Sequence, residues 1–296
     1  MSQISLSSMA IATYVLLLLS VVFLWIRAIR WLWAGSLAVA VVVGYFAGIV
    51  TAVALIPIVV LAALCWYYKQ LTTEKSSKPI LSFLVAILIA VVAALLFLHF
   101  LPGYNNSILV RNFVLSTQSA PYTQYLNFDK AFAGLLILGL CYRGALLTTG
   151  RGWRDAIRQT WPVTLVTIAV VVALAFVFGF VRFDTKWNEF FPLWALVNLL
   201  FTCMSEEALF RGFIQQELSV RFKKYQWGGY VAIAVGAILF GLLHYKGGST
   251  YVVLSVIAGA GYGLAFQRSG RIEMAMLTHF LLNAFHFLVL TYPRAI

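Results

Sequence analysis

Charged residues are scarce in this chain of 296 residues, at 10% of the composition. Soluble domains carry about 25% charged residues, so an ordinary soluble fold is excluded. Acidic residues are scarcer still, with nine against 21 lysines and arginines. The resulting net charge of +12 does not indicate nucleic-acid binding, because no run of basic residues is long enough to form a phosphate-binding surface.

Cysteine and histidine are also rare, with three and four copies. Cys65, Cys141 and Cys203 are widely spaced within apolar runs, and their spacing matches no metal or redox motif. We expect them to be buried small apolar residues. The zinc-protease signature His-Glu-x-x-His is missing from the sequence.

Apolar residues make up 62% of the chain, and the mean hydropathy is +0.94. Several apolar runs reach the roughly 20 residues that a membrane-spanning helix needs, whereas the alternating segments of a membrane barrel are missing. The sequence therefore predicts an all-α, polytopic transmembrane bundle of about ten helices. The predicted helices cover residues 9–26, two spans within 33–66, and then 80–101, 131–147, 161–181, 192–221, 228–245, 250–267 and 273–290.

Three details of this prediction are specific enough to test. The run from Trp33 to Trp66 is too long for one crossing, so we expect it to divide near Gly48. Residues 102–130 form the longest polar connection. The segment Arg151–Arg158 is expected to be a turn at the membrane surface, with Trp153 as its interfacial anchor.

The distribution of basic residues predicts the orientation, because lysine and arginine collect in cytoplasmic loops. The first apolar run has no basic residue before it, so we expect a retained first span with its N-terminus outside. Single crossings then place 14 basic residues inside and six outside. The inner set is Arg27, Arg30, Lys69, Lys75, Lys78, Arg143, Arg151, Arg154, Arg158, Arg221, Lys223, Lys224, Arg268 and Arg271. The outer set is Arg111, Lys130, Arg182, Lys186, Lys246 and Arg294.

The segment Ser205–Arg211 places three ionisable residues inside a predicted membrane helix. Such residues are costly in hydrocarbon and usually mark a functional site. Glu207 and Arg211 are four apart, which places them on one helix face in the favoured order for an ion pair. Glu206 points elsewhere, so we expect it to be free and to serve as a general base. The alternative is a buried ion-pair network that only holds helices together.

Three later residues could complete a site with Glu206. His244 ends the predicted helix 228–245, and His279 and Asn283 share one face of the predicted helix 273–290 because they are four apart. Counting the helical rise from the 221–227 turn places Glu206 and His244 at a similar depth of roughly 22–26 Å. The match for His279 is looser.

This set of residues admits two chemistries. In the first, Glu206 takes a proton from water, His244 helps to align that water, and His279 and Asn283 donate hydrogen bonds to an oxyanion. In the second, Glu206, His244 and His279 hold Zn²⁺, which activates the water. We favour the first chemistry, without a cofactor, because the adjacent residues Glu206 and Glu207 point in different directions.

The motifs Glu206-Glu207-x-x-x-Arg211, Phe240-x-x-x-His244 and His279-x-x-x-Asn283 resemble those of the CAAX-protease and bacteriocin-processing (CPBP) membrane proteins. That family includes the Ras-converting type II CAAX prenyl endopeptidases. The resemblance implies an intramembrane endopeptidase in which Glu206 activates water, His244 assists, His279 and Asn283 form the oxyanion hole, and Glu207 and Arg211 support the site. It covers about 190–290. We therefore expect an N-terminal region, 1–185, of about six helices and a catalytic core, 186–296, in the last four.

Two other functions remain open at this point. The chain could be a non-catalytic bacteriocin-immunity factor or peptide-binding scaffold, or a proton-coupled transporter. The expected partners of the leading function are a membrane-associated peptide or protein and the lipid bilayer, with no nucleic acid. The short polar connections favour a bacterial inner membrane, where a prenylated substrate is not expected.

Overall fold

The fold is described from a computed structural model covering residues 6–29, 31–73 and 78–296. Two of the basic residues counted for the orientation, Arg30 and Lys75, lie outside the described residues.

The described part of the chain contains ten helices, the number that the sequence predicts. We number them α1 Ser8–Phe23, α2 Leu32–Phe46, α3 Leu55–Thr73, α4 Pro79–Phe97, α5 Phe128–Leu136, α6 Gly150–Val177, α7 Phe191–Arg221, α8 Gly228–Leu242, α9 Ser249–Ser269 and α10 Ile272–Val289. One π-helical turn, Ile137–Cys141, continues α5. Six of the helices are long and apolar enough to span a membrane, so the chain is an integral membrane protein.

The division of the long apolar run is confirmed. Helix α2 ends at Phe46, and Gly48 follows with a φ of +73°. Glycine adopts this left-handed conformation without the steric cost that a side chain brings. The chain then forms a short turn and re-enters as α3.

Two boundary predictions are wrong. The segment predicted as a surface turn, Arg151–Arg158, forms the first turns of α6, whose N-terminus is capped by the Thr149 side chain. Basic side chains at a helix end can reach water while the backbone continues, so charge alone did not mark a boundary. Helix α5 begins at Phe128, three residues earlier than predicted, because the Asn106 side chain accepts a hydrogen bond from the Phe128 amide at 2.8 Å.

The long polar connection contains the one β-hairpin among the described residues. Strand β1, Ser107–Phe113, pairs antiparallel with β2, Tyr122–Leu126, and the register shifts twice. The hairpin loop pairs with the C-terminal residues through Ser119 and Ala295, and Phe183 pairs with Leu290. We call the hairpin, residues 180–190 and residues 290–296 the cap.

Hydrogen bonds between loops group them at two ends of the bundle. At the cap end, the Thr51 amide bonds to the Gly103 carbonyl, and the Thr291 amide bonds to the Arg182 carbonyl. At the opposite end, which we call the basic end, the Arg271 guanidinium bonds to the Ala145 carbonyl. Successive loops therefore lie at opposite ends of the bundle, as expected if each of the ten helices runs once from one end to the other.

The core runs continuously from the first helices to the last. Helix α7 lies at the centre of this core, and 67% of its most apolar stretch of 18 residues is buried. Small residues permit the closest contacts: a Cβ atom on Gly134 of α5 would lie 2.5 Å from the Cα atom of Ser205 on α7. The N-terminal helices are therefore packed directly against the helix that carries the acidic pair.

Candidate active site

Helix α7 carries the acidic pair between two π-helical turns, Asn198–Cys203 and Phe210–Gln215. Such turns are rare and occur mostly where function requires an altered side-chain direction. The α-helical segment between them, Met204–Leu209, contains Glu206 and Glu207.

Glu207 and Arg211 form the ion pair that their spacing predicts. Both side chains are fully buried, and the guanidinium donates to Glu207 Oε1 at 3.0 Å. It also donates to the Gly259 carbonyl of α9 at 2.7 Å. The rings of Phe240 and Tyr262 lie 4.6 and 5.2 Å from the guanidinium carbon. This residue set joins α7, α8 and α9 around one buried cation.

His279 lies between the two glutamates. Its Nδ1 is 2.8 Å from Glu207 Oε1, and because a carboxylate only accepts, Nδ1 carries the proton. Tyr262 stacks on the imidazole with ring centroids 4.5 Å apart. The other nitrogen, Nε2, is 3.7 Å from Glu206 Oε2, which is too long for a hydrogen bond. Glu207 and Tyr262 thus fix the ring so that Nε2 faces Glu206.

Glu206 is not the free carboxylate that the sequence predicts. Its Oε1 is paired with the ammonium group of Lys130, which lies in the first turn of α5. The Lys130 ammonium also lies 5.4 Å from the ring centre of Phe97. Glu206 Oε2 is buried and has no hydrogen-bond partner within the described residues. One oxygen of the carboxylate is therefore paired, and the other has no partner.

His244 lies just beyond the last residue of α8. Its Nδ1 is 2.8 Å from the Phe240 carbonyl oxygen, so this nitrogen is the donor and Nε2 is left as an acceptor. The Tyr251 ring packs edge-on against the imidazole at 5.3 Å. The Phe240 ring lies 4.7 Å from it as well. The imidazole is thus held by one hydrogen bond and two aromatic contacts, with a nitrogen lone pair still available.

Asn283 is positioned by a polar partner that the sequence did not suggest. Its side-chain amide donates to Asn198 Oδ1 at 3.2 Å. The Cys203 thiol donates to the same oxygen at 3.3 Å. Asn198 begins the first π turn of α7, so this turn orients an amide on α10.

One cavity of about 690 Å³ contains all four residues expected to carry the chemistry. Glu206, His244, His279 and Asn283 line it, and Lys130 and Asn198 lie on the same wall. Residues of the cap, including Tyr122, Tyr292 and Arg294, form its rim. The structure thus brings together residues from α5, α7 and α10 and from the end of α8. It also places His279 at the same cavity as Glu206, which the helical rise alone does not predict.

The alternative chemistry would place Zn²⁺ on Glu206, His244 and His279. Within the described residues, no three histidine, cysteine, aspartate or glutamate side chains converge on a point that could hold a metal. The Lys130 ammonium lies beside Glu206, where it would repel a second cation. The Glu207 carboxylate on His279 Nδ1 leaves Nε2 free and would orient it for a metal as well as for a hydrogen bond.

Lys130 and Asn198 are the site residues that the sequence analysis missed. The sequence predicts Lys130 in an outer loop, because nothing in the local pattern places the start of α5 before it. Asn198 lies eight residues before Glu206 in a segment whose sequence predicts a regular helix. A π turn has no sequence signature that would identify Asn198 as a site residue.

One comparison with known families gives a match. Residues 187–285 match the family model described as Rce1-like, type II CAAX prenyl endopeptidase Rce1-like. Searches of curated proteins and of solved structures gave no match. The matched segment holds Glu206, Glu207, Arg211, His244, His279 and Asn283, and it excludes Lys130. About a third of this membrane protein is thus similar to type II CAAX prenyl endopeptidases of the Rce1-like family.

Proposed function

We propose that the protein is an intramembrane endopeptidase that hydrolyses a peptide bond in a membrane-associated peptide or protein, and that it works in a bacterial inner membrane. The observation that carries the proposal is the single cavity in which Glu206 has one unpartnered carboxylate oxygen beside three potential hydrogen-bonding side chains. Glu207 and Glu273 also have an unpartnered buried oxygen, but Glu206 is the one of the three that lines this cavity.

In the proposed mechanism, Glu206 activates the attacking water. Its Oε2 atom accepts a proton from the water, which attacks the carbonyl carbon of the scissile bond. His244 Nε2 accepts the water's second hydrogen and aligns it. Glu206 then passes its proton to the amine nitrogen as the C–N bond of the tetrahedral intermediate breaks, which releases the amine, re-forms the carbonyl group and restores the Glu206 carboxylate.

His279 and Asn283 stabilise the oxyanion in this scheme. The Asn283 amide donates to Asn198 Oδ1 and, at 3.8 Å, to the Cys203 sulfur, a weak acceptor that an oxyanion would replace. His279 donates through Nε2 when both ring nitrogens carry a proton. The Glu207 carboxylate on Nδ1 fixes the ring so that Nε2 faces the Glu206 carboxylate. Arg211 keeps Glu207 in place, so its role is to position His279 through Glu207.

The test is the pair of variants Glu206→Gln and His279→Ala, assayed for cleavage of membrane-anchored peptides in reconstituted bilayers. Loss of a general base or of an oxyanion donor lowers the rate by about 10²–10⁴-fold. The matched control is Glu189→Gln, since Glu189 is exposed and does not line the cavity. If both site variants remain folded and keep full activity, the proposed function is rejected.

We also propose that hydrolysis needs no metal. Incubation with a strong zinc chelator is expected to leave the cleavage rate unchanged, because the Lys130 ammonium already provides the positive charge next to Glu206. Loss of activity on chelation, restored by added Zn²⁺, would reject this part of the proposal and favour Glu206, His244 and His279 as ligands.

A further inference from the structure

Strand β2 is paired along only one of its edges. It bonds to β1 in a two-stranded sheet, and none of the isolated bridges between described residues involves it. A strand with one partner presents a row of unpaired N–H and C=O groups along its other edge. Such an edge is able to pair with another extended chain.

The free edge of β2 runs beside the site cavity. Four consecutive residues, Tyr122 to Tyr125, line that cavity, and none of the described residues of β1 does. Successive side chains of a strand point to opposite faces, so a cavity beneath one face would be lined by every second residue. Four in succession indicate that the cavity lies along the backbone edge.

This edge leads directly to the reacting carboxylate. After β2 ends at Leu126, only Asn127 separates the strand from α5, and both Asn127 and Lys130 line the cavity. Lys130 is the residue paired with Glu206. A chain lying along β2 would therefore pass the Glu206 carboxylate within a few residues.

A peptide that leaves a membrane helix needs such an edge. Its backbone groups lose their helical hydrogen bonds, and each unsatisfied group is costly where water is scarce. Pairing with a strand edge replaces those bonds without regard to side-chain identity. An extended backbone also exposes the scissile carbonyl to attack, which a helix does not.

We propose that β2 binds the substrate peptide in extended form, as a third strand of the sheet, and presents its scissile bond to Glu206. This inference rests on the proposed endopeptidase function, and it assigns substrate binding to residues that lie outside the Rce1-like segment.

The experiment measures binding separately from cleavage. The probes are fluorescent, N-palmitoylated peptides of about ten residues, and the receptor is the full-length Glu206→Gln variant in lipid nanodiscs. The tightest-binding sequence is resynthesised with a single N-methyl group at each successive amide. Strand pairing uses every second amide of the ligand, so binding should weaken about five- to tenfold at alternate positions and less than twofold between them.

A pair of protein variants tests the same contact from the other side. The N–H groups of neighbouring strand residues point to opposite edges, so Thr123→Pro and Gln124→Pro each remove a donor from a different edge of β2. One of them is expected to weaken peptide binding about five- to tenfold and leave thermal stability unchanged. The other is expected to destabilise the hairpin.

The possible outcomes separate this inference from the function on which it rests. Absence of peptide binding, equal effects of N-methylation at every position, or unchanged binding in both proline variants would overturn strand pairing. Alternating effects on binding with no cleavage by the unsubstituted protein would reject the endopeptidase function but retain the peptide-binding edge. Cleavage by the unsubstituted protein, with no alternating effect of N-methylation on binding, would reject strand pairing but retain the endopeptidase function.

Discussion

Lys130 is the residue that most changes the interpretation of the acidic pair. Read from the sequence alone, Glu206 is a lone carboxylate in hydrocarbon and Lys130 a topogenic charge in a loop. In the structure they form one ion pair, with the two side chains 7% and 14% exposed. A pair this deeply buried couples the N-terminal helices to the Rce1-like segment.

Replacing Lys130 tests its role in the site. Lys130→Met leaves Glu206 without its opposite charge, and breaking one side of a buried pair costs about 3–5 kcal/mol of stability. We also expect kcat/KM to fall, because the ammonium group that holds Glu206 Oε1 is lost. The measurements are thermal unfolding and cleavage rate.

The control for this prediction is Lys130→Arg, which keeps the charge and should retain most of the cleavage rate. A Lys130→Met variant that is less stable but cleaves at an unchanged rate would show that Lys130 is structural only.

His279 illustrates which features of a residue a motif can and cannot predict. Its four-residue spacing from Asn283 places both on one face of α10, and the structure agrees. Its ring orientation comes from Glu207 and Tyr262, which lie on other helices. Spacing along one helix carries no information about such partners, so the sequence could not predict which nitrogen faces the cavity.

At the scale of elements, the crossing of α5 and α7 sets the distance between Lys130 and Glu206. Gly134 lies one turn after Lys130, and a Cβ atom there would be 2.5 Å from Ser205 Cα, next to Glu206. Any side chain at position 134 must push the two helices apart.

Gly134→Ala is therefore expected to lower both stability and activity. Overpacking of this kind costs about 1–3 kcal/mol, and the shift of α5 moves the Lys130 ammonium away from Glu206. Thermal unfolding in detergent and cleavage rate are the two measurements. Gly35→Ala is the matched control, since a Cβ atom on Gly35 of α2 meets nothing within 4 Å. Equal behaviour of the two variants would contradict the close crossing.

The Asp184 side chain joins the hairpin loop to residues 180–190 within the cap, and it lies outside the membrane-spanning helices. Burial raises its pKa, but hydrogen bonds from Ser116 and Lys186 outweigh this and leave the pKa of Asp184 below its ordinary value. Lys186 donates to the Asp184 carboxylate at 3.0 Å. A carboxyl group whose pKa is lower in the folded state stabilises that state when it is ionised.

The stability of the cap should accordingly decrease at acidic pH. The contribution of Asp184 is fully present above its unfolded pKa of about 3.9, and it is lost as the pH falls through the lower folded value. Asp184→Asn should thus reduce the thermal midpoint at pH 7, and the difference from the unsubstituted protein should shrink below about pH 4. Asp155→Asn serves as the control, because Asp155 is exposed on α6. A difference that is constant with pH would contradict this account.

At the scale of the whole molecule, the two groups of loops define which ends lie on opposite sides of the membrane. The excess of basic residues predicts that the end holding Arg221, Lys223 and Lys224 is cytoplasmic. The cap and the mouth of the cavity would then face outward. The division of the chain into a region 1–185 and a core 186–296 also stays a prediction, although the contacts across it are extensive.

Labelling of single cysteines tests this orientation. Cys65, Cys141 and Cys203 are buried, so the background reaction with a membrane-impermeant maleimide should be low. Val114→Cys at the cap end is exposed and should react in intact cells, whereas Lys224→Cys at the basic end should react only after permeabilisation. The opposite pattern would reverse the predicted orientation and place the cavity mouth in the cytoplasm.

The amino-acid sequence by itself determined the class of protein, the number of helices and the ion pair within α7. These depend on composition, on the length of apolar runs and on spacing along one helix, all of which are local in the chain. Tertiary structure alone decided that Lys130 reaches Glu206, that Asn198 orients Asn283 and that the edge of β2 runs along the cavity. Each of these contacts joins residues that are 76 or more positions apart, or joins elements through a cavity. Packing of distant segments fixes such contacts, and no periodic pattern in the sequence records it. The Ser205–Arg211 segment marks the position of the candidate site, and the helices packed around it determine which of its carboxylate oxygens are paired.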